Sequence, residues 1–356
     1  MARVVRAGAI VRAPRMPPAP PALPLTFFTT CPPSGSIARE EYVATVLRVG
    51  RWSEAAGAAG ILVYTDNSLV DPWPVAQLLL QNTQQLTPLV AVQPVYQHPY
   101  WVAKTIATLG HLHGRRIALN MVAGGFQNDL QALGDQTPHD ARYARLVEFT
   151  RVVTGVLASR AGFRFRGAHY QVDGLKMAPP LPEALQPWIL MSGSSAAGLA
   201  AAKEVGAIAV QYPQPPERHK ETIAVPGITY GIRIGVIARD DAAAAWRLAE
   251  QRFPLDRKGQ LTHELAMRVS DSQWHQQLSE LGKAAAQGRS PYWLHPFANY
   301  QTFCPYLVGD HATVARELAG YLRLGIHHYI LDVPRDEDDL PETLRAFALA
   351  RALPAT

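Results

Sequence analysis

Eight short apolar segments alternate with helical patterns along this chain, and that alternation limits the folds open to it. The segments cover residues 25–29, 61–64, 89–95, 116–121, 188–191, 207–211, 230–238 and 328–333. Most are continuous apolar runs, which is typical of parallel strands buried on both faces. Eight βα units predict an α/β fold, a (β/α)8 TIM barrel. A doubly wound sheet is the alternative, because periodicity alone does not show that a sheet closes.

A long insertion interrupts this pattern before the last strand. Residues 254–308 are rich in Gln, Ser and His, and an insertion of that length in a compact domain is usually a lid or a binding loop. A polar, hairpin-like segment at 163–177 is a second, shorter insertion. We therefore expect residues 23–356 to form one barrel domain with a lid at about 254–308.

The excess of positive charge is concentrated at the start of the chain. The net charge is +5, and residues 1–38 contain four arginines, no acidic residue and 8 of the 29 prolines. This composition predicts a disordered tail over residues 1–22. The remainder is close to neutral, which argues against nucleic acid as a partner. The 2 cysteines exclude a disulfide framework and predict a reduced, cytoplasmic protein, and no apolar stretch is long enough to cross a membrane.

Polar side chains stand where the predicted strands end, which is where active sites of such barrels form. They include Cys31, Thr65 and Asn120, with no paired carboxylates and no cluster of metal ligands. This set favours an organic cofactor over a metal site. Cys31 is open to two interpretations, a reactive thiol at the barrel mouth or a buried structural one.

A serine-rich turn follows the fifth predicted strand. The sequence Ser192-Gly193-Ser194-Ser195 leads into a helix and offers backbone N–H groups, a helix dipole and hydroxyls to a phosphate group. The alternative is an ordinary serine N-cap.

Arg233 lies in the seventh predicted strand between two glycines. The two-residue repeat of a strand places it on the same face as Gly231 and Gly235, which leave room beside its guanidinium. That arrangement suits an anionic group of a substrate or cofactor. The alternative is an ion pair with a structural carboxylate.

Several segments, in their order and spacing, resemble a known family. They are Ile117-Ala118-Leu119-Asn120-Met121-Val122-Ala123-Gly124, Asp140-Ala141-Arg142-Tyr143, Glu148-Phe149-Thr150, Phe165-Arg166-Gly167, His169-Tyr170, Gly193-Ser194-Ser195, Gly231-Ile232-Arg233 and Leu307-Val308-Gly309-Asp310. From about residue 25 to 353 the chain is similar to the bacterial-luciferase-like flavin monooxygenases, most closely their alkanesulfonate monooxygenase branch.

The resemblance implies a barrel enzyme that uses O2 and reduced FMN supplied by a separate NAD(P)H flavin reductase. Some relatives use the deazaflavin F420 instead, and family members commonly form homo-oligomers. Carried over by position, Asn120 and Tyr143 belong to the flavin pocket, and Ser194 and Ser195 bind the phosphate. Thr65 is expected beside the cofactor.

The resemblance also assigns one catalytic residue. Arg233 corresponds to the arginine that the sulfonate enzymes use at the substrate and the oxygenated flavin. For proton transfer the alternatives are Tyr292, Cys31 and water. The insertion would keep the reacting flavin dry.

Three departures bear on the substrate. The sulfonate enzymes have a His where this chain has Gly235, a Cys that corresponds to Leu69, and a His near the position of Cys31. Simple alkanesulfonates are therefore not the expected substrate, and an organosulfur compound or a biosynthetic intermediate fits better. A flavin- or F420-dependent dehydrogenase on the same barrel is one alternative. An inactive accessory protein that binds flavin or polyanions through the basic tail is another.

Overall fold

The computed structural model describes residues 25–124, 126–223, 225–269, 278–279 and 289–354. In chain order its strands are β1 (Thr26–Thr30), β2 (Gly60–Val63), β3 (Thr87–Val92), β4 (Ala118–Val122), β5 (Phe163–Arg166), β6 (Gln171–Leu175), β7 (Ile189–Ser192), β8 (Ile208–Gln211), β9 (Thr229–Arg239), β10 (Tyr292–Trp293), β11 (Tyr306–Asp310) and β12 (His328–Leu331). The basic tail predicted at 1–22 lies outside the described residues.

Helices follow the strands as the sequence pattern predicts. They are α1 (Arg39–Ala55), α2 (Pro72–Asn82), α3 (Pro99–His113), α4 (Gln127–Ala132), α5 (His139–Ala158), α6 (Ala196–Val205), α7 (Pro216–His219), α8 (Ala242–Arg252), α9 (Arg257–Val269), α10 (His295–Ala298), α11 (His311–Arg323) and α12 (Asp339–Ala352). None of the helices in the described ranges is long and apolar enough to cross a membrane.

Eight of the strands close into a barrel. They pair in the order β1, β2, β3, β4, β7, β8, β9, β12, every pair is parallel, and β12 returns to β1 with His328 opposite Thr26. The predicted (β/α)8 barrel is thus confirmed, and the closure excludes the doubly wound alternative.

The two faces of these strands pack into different parts of the core. One inward-facing side chain from each of seven strands fills the barrel, namely Phe28, Leu62, Leu89, Ala118, Leu190, Val210 and Ile330. The alternate positions, such as Val90, Leu119 and Met191, pack against the helices. Burial on both faces explains why the strands have continuous apolar sequences.

Strand β9 supplies no large apolar side chain to the barrel interior. Its residues Ile232 and Ile234 pack outward in the helix-facing core, while Arg233 lies on the opposite, inward face, as its alternation with the glycines predicts. The barrel mouth therefore has room for a guanidinium at a position where the other strands contribute apolar side chains.

The second half of β9 continues past the barrel and pairs with a strand that the sequence did not reveal. Residues 306–310 form β11, parallel to β9, with Tyr306 opposite Gly235. Strand β10 pairs antiparallel to β11. The sequence pattern assigned most of this segment to the insertion because five residues after a polar loop give no clear periodicity. The hairpin predicted at 163–177 is present as β5 and β6.

Candidate active site

A cavity opens at the carboxyl end of the barrel strands, and we call it the mouth cavity. It is lined by most of the predicted site residues, Thr65, Asn120, Tyr143, Ser194, Ser195 and Arg233. The topology brings them together because the carboxyl ends of all eight parallel strands meet at this end of the barrel. Among the described residues there is no group of three His, Cys, Asp or Glu side chains that could hold a metal ion.

The two serines of the turn between β7 and α6 have different hydrogen-bonding environments. Ser195 is the N-cap of α6, and its Oγ accepts a hydrogen bond from the Gly198 backbone N–H at 3.1 Å. The Ser194 Oγ is buried and has no hydrogen-bond partner in the described structure. Because a buried hydroxyl without a partner is costly, this atom and the N–H groups at the start of α6 suit an anionic ligand. The N-cap interpretation is confirmed for Ser195, and phosphate binding at Ser194 stays a prediction.

Tyr143 of α5 lies directly against this turn. A Cβ on Gly193 would come within 2.5 Å of the Tyr143 Oη, and one on Gly198 within 3.1 Å of its Cζ. The two glycines thus permit the close approach of the phenol. Burial raises the pKa of Tyr143, and its side-chain hydrogen bond with Ser195 opposes that rise only in part. The phenol stays neutral beside the turn.

Asn120 and Thr65 occupy fixed positions in the cavity wall. Asn120 is buried on β4, and its Oδ1 accepts a hydrogen bond from the Ser192 Oγ at 2.9 Å. The Thr65 Oγ1 donates to backbone oxygens of its own turn, at Asp66 (3.3 Å) and Val70 (3.2 Å). Both side chains therefore present a set orientation to whatever enters the cavity.

Arg233 is held by an acid and an aromatic pair. Its Nη2 lies 3.6 Å from Asp332 Oδ1, its Nη1 donates to the Tyr212 hydroxyl at 3.4 Å, and its Cζ is 5.1 Å from the centre of the Tyr64 ring. The Nε is buried and has no partner in the described structure. Burial disfavours the charge, but Tyr212 and Asp332 outweigh it and raise the pKa of Arg233. Arg233 is a permanent cation with an unused donor.

Asp332 connects Arg233 to the end of the predicted insertion. Its Oδ2 accepts hydrogen bonds from the Thr302 Oγ1 and the Tyr306 hydroxyl, both at 2.7 Å. Asp332 was recognisable in the sequence as a strand-end carboxylate. Thr302 and Tyr306 were not, because their contacts with Asp332 depend on the β9–β11 pairing.

An aromatic side chain from the same loop covers the cavity. The Phe303 ring lies 6.4 Å from Tyr64, 6.2 Å from Phe126 and 5.7 Å from Tyr300, measured between ring centres. Phe303 lines the mouth cavity. The end of the insertion therefore reaches the site, as a lid would require.

Two predicted catalytic residues do not line the mouth cavity. Cys31 is 2% exposed and packs with side chains of α1 and α2, and burial raises its pKa to about 12. Tyr292 is also buried, its hydroxyl donates to the Pro213 carbonyl at 2.7 Å, and burial raises its pKa. A buried thiol and a phenol engaged elsewhere are poorly placed for proton transfer at this site.

Comparison with known proteins identifies the family. The family model for luciferase-like monooxygenases matches residues 24–328. The chain belongs to the luciferase-like monooxygenase family. The prediction of an oxidoreductase of the flavin-dependent monooxygenase type is thereby confirmed at the level of the family.

One relative is similar to this chain over most of its length. The 4-(gamma-L-glutamylamino)butanoyl-[BtrI acyl-carrier protein] monooxygenase BtrO of Niallia circulans is 34% identical over 307 residues, which are 85% of this chain and 89% of BtrO.

Solved structures show the same fold at low identity. The EDTA monooxygenase EmoA of Chelativorans sp. BNC1 aligns with a TM-score of 0.69 at 16% identity and covers 92% of this chain and 94% of its own. An F420-dependent secondary alcohol dehydrogenase aligns with a TM-score of 0.63 at 16% identity, over 92% of this chain and 100% of its own.

Proposed function

We propose that this protein is a two-component monooxygenase that binds reduced FMN from a separate NAD(P)H flavin reductase. The observation that carries the cofactor assignment is the Ser194 hydroxyl, which is buried beside the start of α6 with no partner among the described residues. A flavin phosphate would satisfy that hydroxyl and the helix N–H groups together. F420 also carries a phosphate. It stays the alternative cofactor because the F420-dependent secondary alcohol dehydrogenase has the same fold.

Different side chains around the cavity would hold different parts of the cofactor. Ser194, Ser195 and Tyr143 would bind the phosphate end, while Asn120 and Thr65 would orient the ring system. Reduced FMN, when bound, supplies the two electrons that activate O2. Overall, one oxygen atom enters the substrate and the other leaves as water.

Arg233 has the position and charge for the reaction itself. Its guanidinium stays cationic next to Asp332, and its Nε has no partner in the part of the chain that the structure describes. A fixed cation in a buried site stabilises negative charge that develops on oxygen without reorganising solvent. Phe303 from the insertion would exclude water from the same space.

The substrate we favour is an acyl biosynthetic intermediate. BtrO, named for a substrate carried on an acyl-carrier protein, is 34% identical over 85% of this chain. The departures at Gly235 and Leu69 argue against placing the chain in the alkanesulfonate branch. We therefore favour an acyl thioester, free or carrier-bound, over an organosulfur compound.

Oxygen uptake with a flavin reductase and NADH tests the proposal. The probe is the 4-(γ-glutamylamino)butanoyl thioester of pantetheine, supplied with isotopically labelled O2. We expect a product that contains one labelled oxygen atom. Substrate oxidation without incorporation of labelled oxygen would identify a dehydrogenase. If neither reduced FMN nor reduced F420 bound saturably, only the alternative of an inactive accessory protein would remain.

A further inference from the structure

A second chamber adjoins the mouth cavity. It has a volume of about 610 Å³, within the usual range for ligand sites of about 300–1,000 Å³. The two spaces share Tyr64, Asp66, Arg233 and Phe303 as common lining. The second chamber extends from this shared wall toward α1 and the loops that follow β1, β2 and β12. The serine turn lies in the mouth cavity, so the phosphate end of the cofactor and the second chamber occupy different parts of the site.

Apolar side chains and backbone form much of the wall of the second chamber. Pro32, Ile37, Trp52, Leu69 and Val333 are among its lining residues. Several hydroxyl side chains share this lining, so the chamber suits an elongated ligand with both aliphatic and amide groups.

The charged groups of the second chamber have different kinds of partner. Asp332 is bound to Arg233, and Asp66 accepts hydrogen bonds from Ser68. Arg335 stacks on Phe253 and donates to the Arg252 carbonyl. Arg48 of α1 differs from Arg335 in that its contacts are with side chains that themselves line the chamber.

Arg48 has no carboxylate partner among the described residues. Its Nη2 donates to the Thr45 Oγ1 at 3.2 Å, and its Cζ lies 5.7 Å from the centre of the Trp52 ring. All three side chains line the second chamber, and Arg48 is exposed where the chamber meets solvent. With three arginines and two aspartates in its lining, the chamber carries an excess of positive charge.

We propose that the second chamber is the substrate compartment and that Arg48 binds an anionic group at the outer end of an elongated substrate. The reacting end then lies at the shared wall, beside Arg233 and Phe303. This inference rests on the proposed function and adds the substrate class. A phosphopantetheine arm and a free acid both provide such a group, as phosphate in one case and carboxylate in the other.

Calorimetric titration of the full-length protein tests the inference without flavin. The probes are phosphopantetheine, pantetheine, which lacks the phosphate, and adipate as a free acid. We expect phosphopantetheine to bind at least tenfold more tightly than pantetheine, because a charge-assisted hydrogen bond to arginine is lost without the phosphate. Arg48→Gln removes that advantage, and pantetheine binds both proteins equally. Arg51→Gln, on the exposed side of the same helix, is the matched control and binds like the wild type.

The adipate titration distinguishes the two sources of the anion. Binding of adipate that depends on Arg48, with phosphopantetheine no tighter than pantetheine, identifies a free acid as the substrate. If Arg48→Gln changes the affinity for neither anion, the inference is wrong.

A second variant locates the ligand. Ser36 is exposed and lines the second chamber, so Ser36→Trp obstructs the opening and leaves Arg48 intact. We expect binding of phosphopantetheine to fall at least tenfold. Unchanged binding would place the anion outside the chamber and overturn the inference. Arg48 and Ser36 line the second chamber, whereas the serine turn lines the mouth cavity. The FMN affinity of both variants therefore tests the proposed function separately from the inference.

Discussion

The ring of Tyr306 occupies the space into which a side chain at Gly235 would project. A Cβ on Gly235 would come within 2.3 Å of two Tyr306 ring carbons, while the Tyr306 hydroxyl donates to Asp332. The sulfonate enzymes resembled by this chain have a His at this position. Here the same volume holds a tyrosine that anchors the partner of Arg233. Gly235 is therefore required by packing.

Gly235→Ala is expected to destabilise the protein by about 1–3 kcal/mol, the usual cost of overpacking a buried site. Urea unfolding measures the change. In a Tyr306→Val background the same Gly235→Ala substitution should cost less, because the clashing ring is absent. Gly35→Ala is the control, because its new Cβ would meet Leu69 at an ordinary 3.4 Å. A Gly235→Ala variant as stable as the wild type would contradict the packing argument.

Ser194→Ala and Ser195→Ala are expected to differ in stability although the residues are adjacent. Ser195→Ala removes the N-cap of α6 and costs about 1 kcal/mol. Ser194→Ala removes a hydroxyl without a partner and leaves the free energy of unfolding unchanged or slightly higher. Equal destabilisation in urea unfolding would mean that Ser194 has an internal partner after all.

The sequence predicted the barrel well because the signal for it is local. Each strand is a short apolar run followed by a helical pattern, and alternation alone placed Arg233 on the strand face that carries the glycines, opposite the isoleucines. The serine turn was recognisable for the same reason, since its residues are contiguous.

The rest of the site depends on contacts between distant segments. Tyr306 reaches Asp332 only because β11 pairs with β9, and Phe303 meets Tyr64 only because the insertion folds back over the mouth. For Cys31, in contrast, the position in the sequence suggested a place in the site that the structure does not show. It follows a barrel strand, but its side chain packs among helices α1 and α2 rather than toward the mouth cavity.

His219 gives a pH dependence of stability. Burial lowers its pKa from the usual 6.5 to about 4. Between these values the unfolded chain binds a proton that the folded chain does not, so this contribution to stability is complete above pH 6.5 and declines as the pH falls toward 4. The expected loss is about 2–3 kcal/mol.

His219→Gln should flatten the acid side of the pH profile of urea unfolding. His111→Gln, at an exposed position of α3, serves as the control. If His219→Gln retained the full wild-type decline toward acid, another group would be responsible.

Arg233→Lys is expected to lower the rate of product formation about 100-fold, the scale found when one donor to a developing oxyanion is removed. A single ammonium cannot replace a guanidinium that contacts both Asp332 and Tyr212. FMN affinity should change less than threefold. The measurement is labelled-oxygen incorporation into the acyl thioester, with hydrogen peroxide release recorded in parallel. If product formation stayed within a few-fold of the wild-type rate, Arg233 would not take part in the reaction.

Anaerobic titration with reduced FMN and reduced riboflavin tests the central claim, that the serine turn binds a flavin phosphate. The two cofactors differ only in that phosphate. We predict saturable binding of reduced FMN that is at least tenfold tighter than that of reduced riboflavin, and loss of most of this difference in Ser194→Ala. Equal affinity for the two flavins, or a preference that survives Ser194→Ala unchanged, would contradict the account.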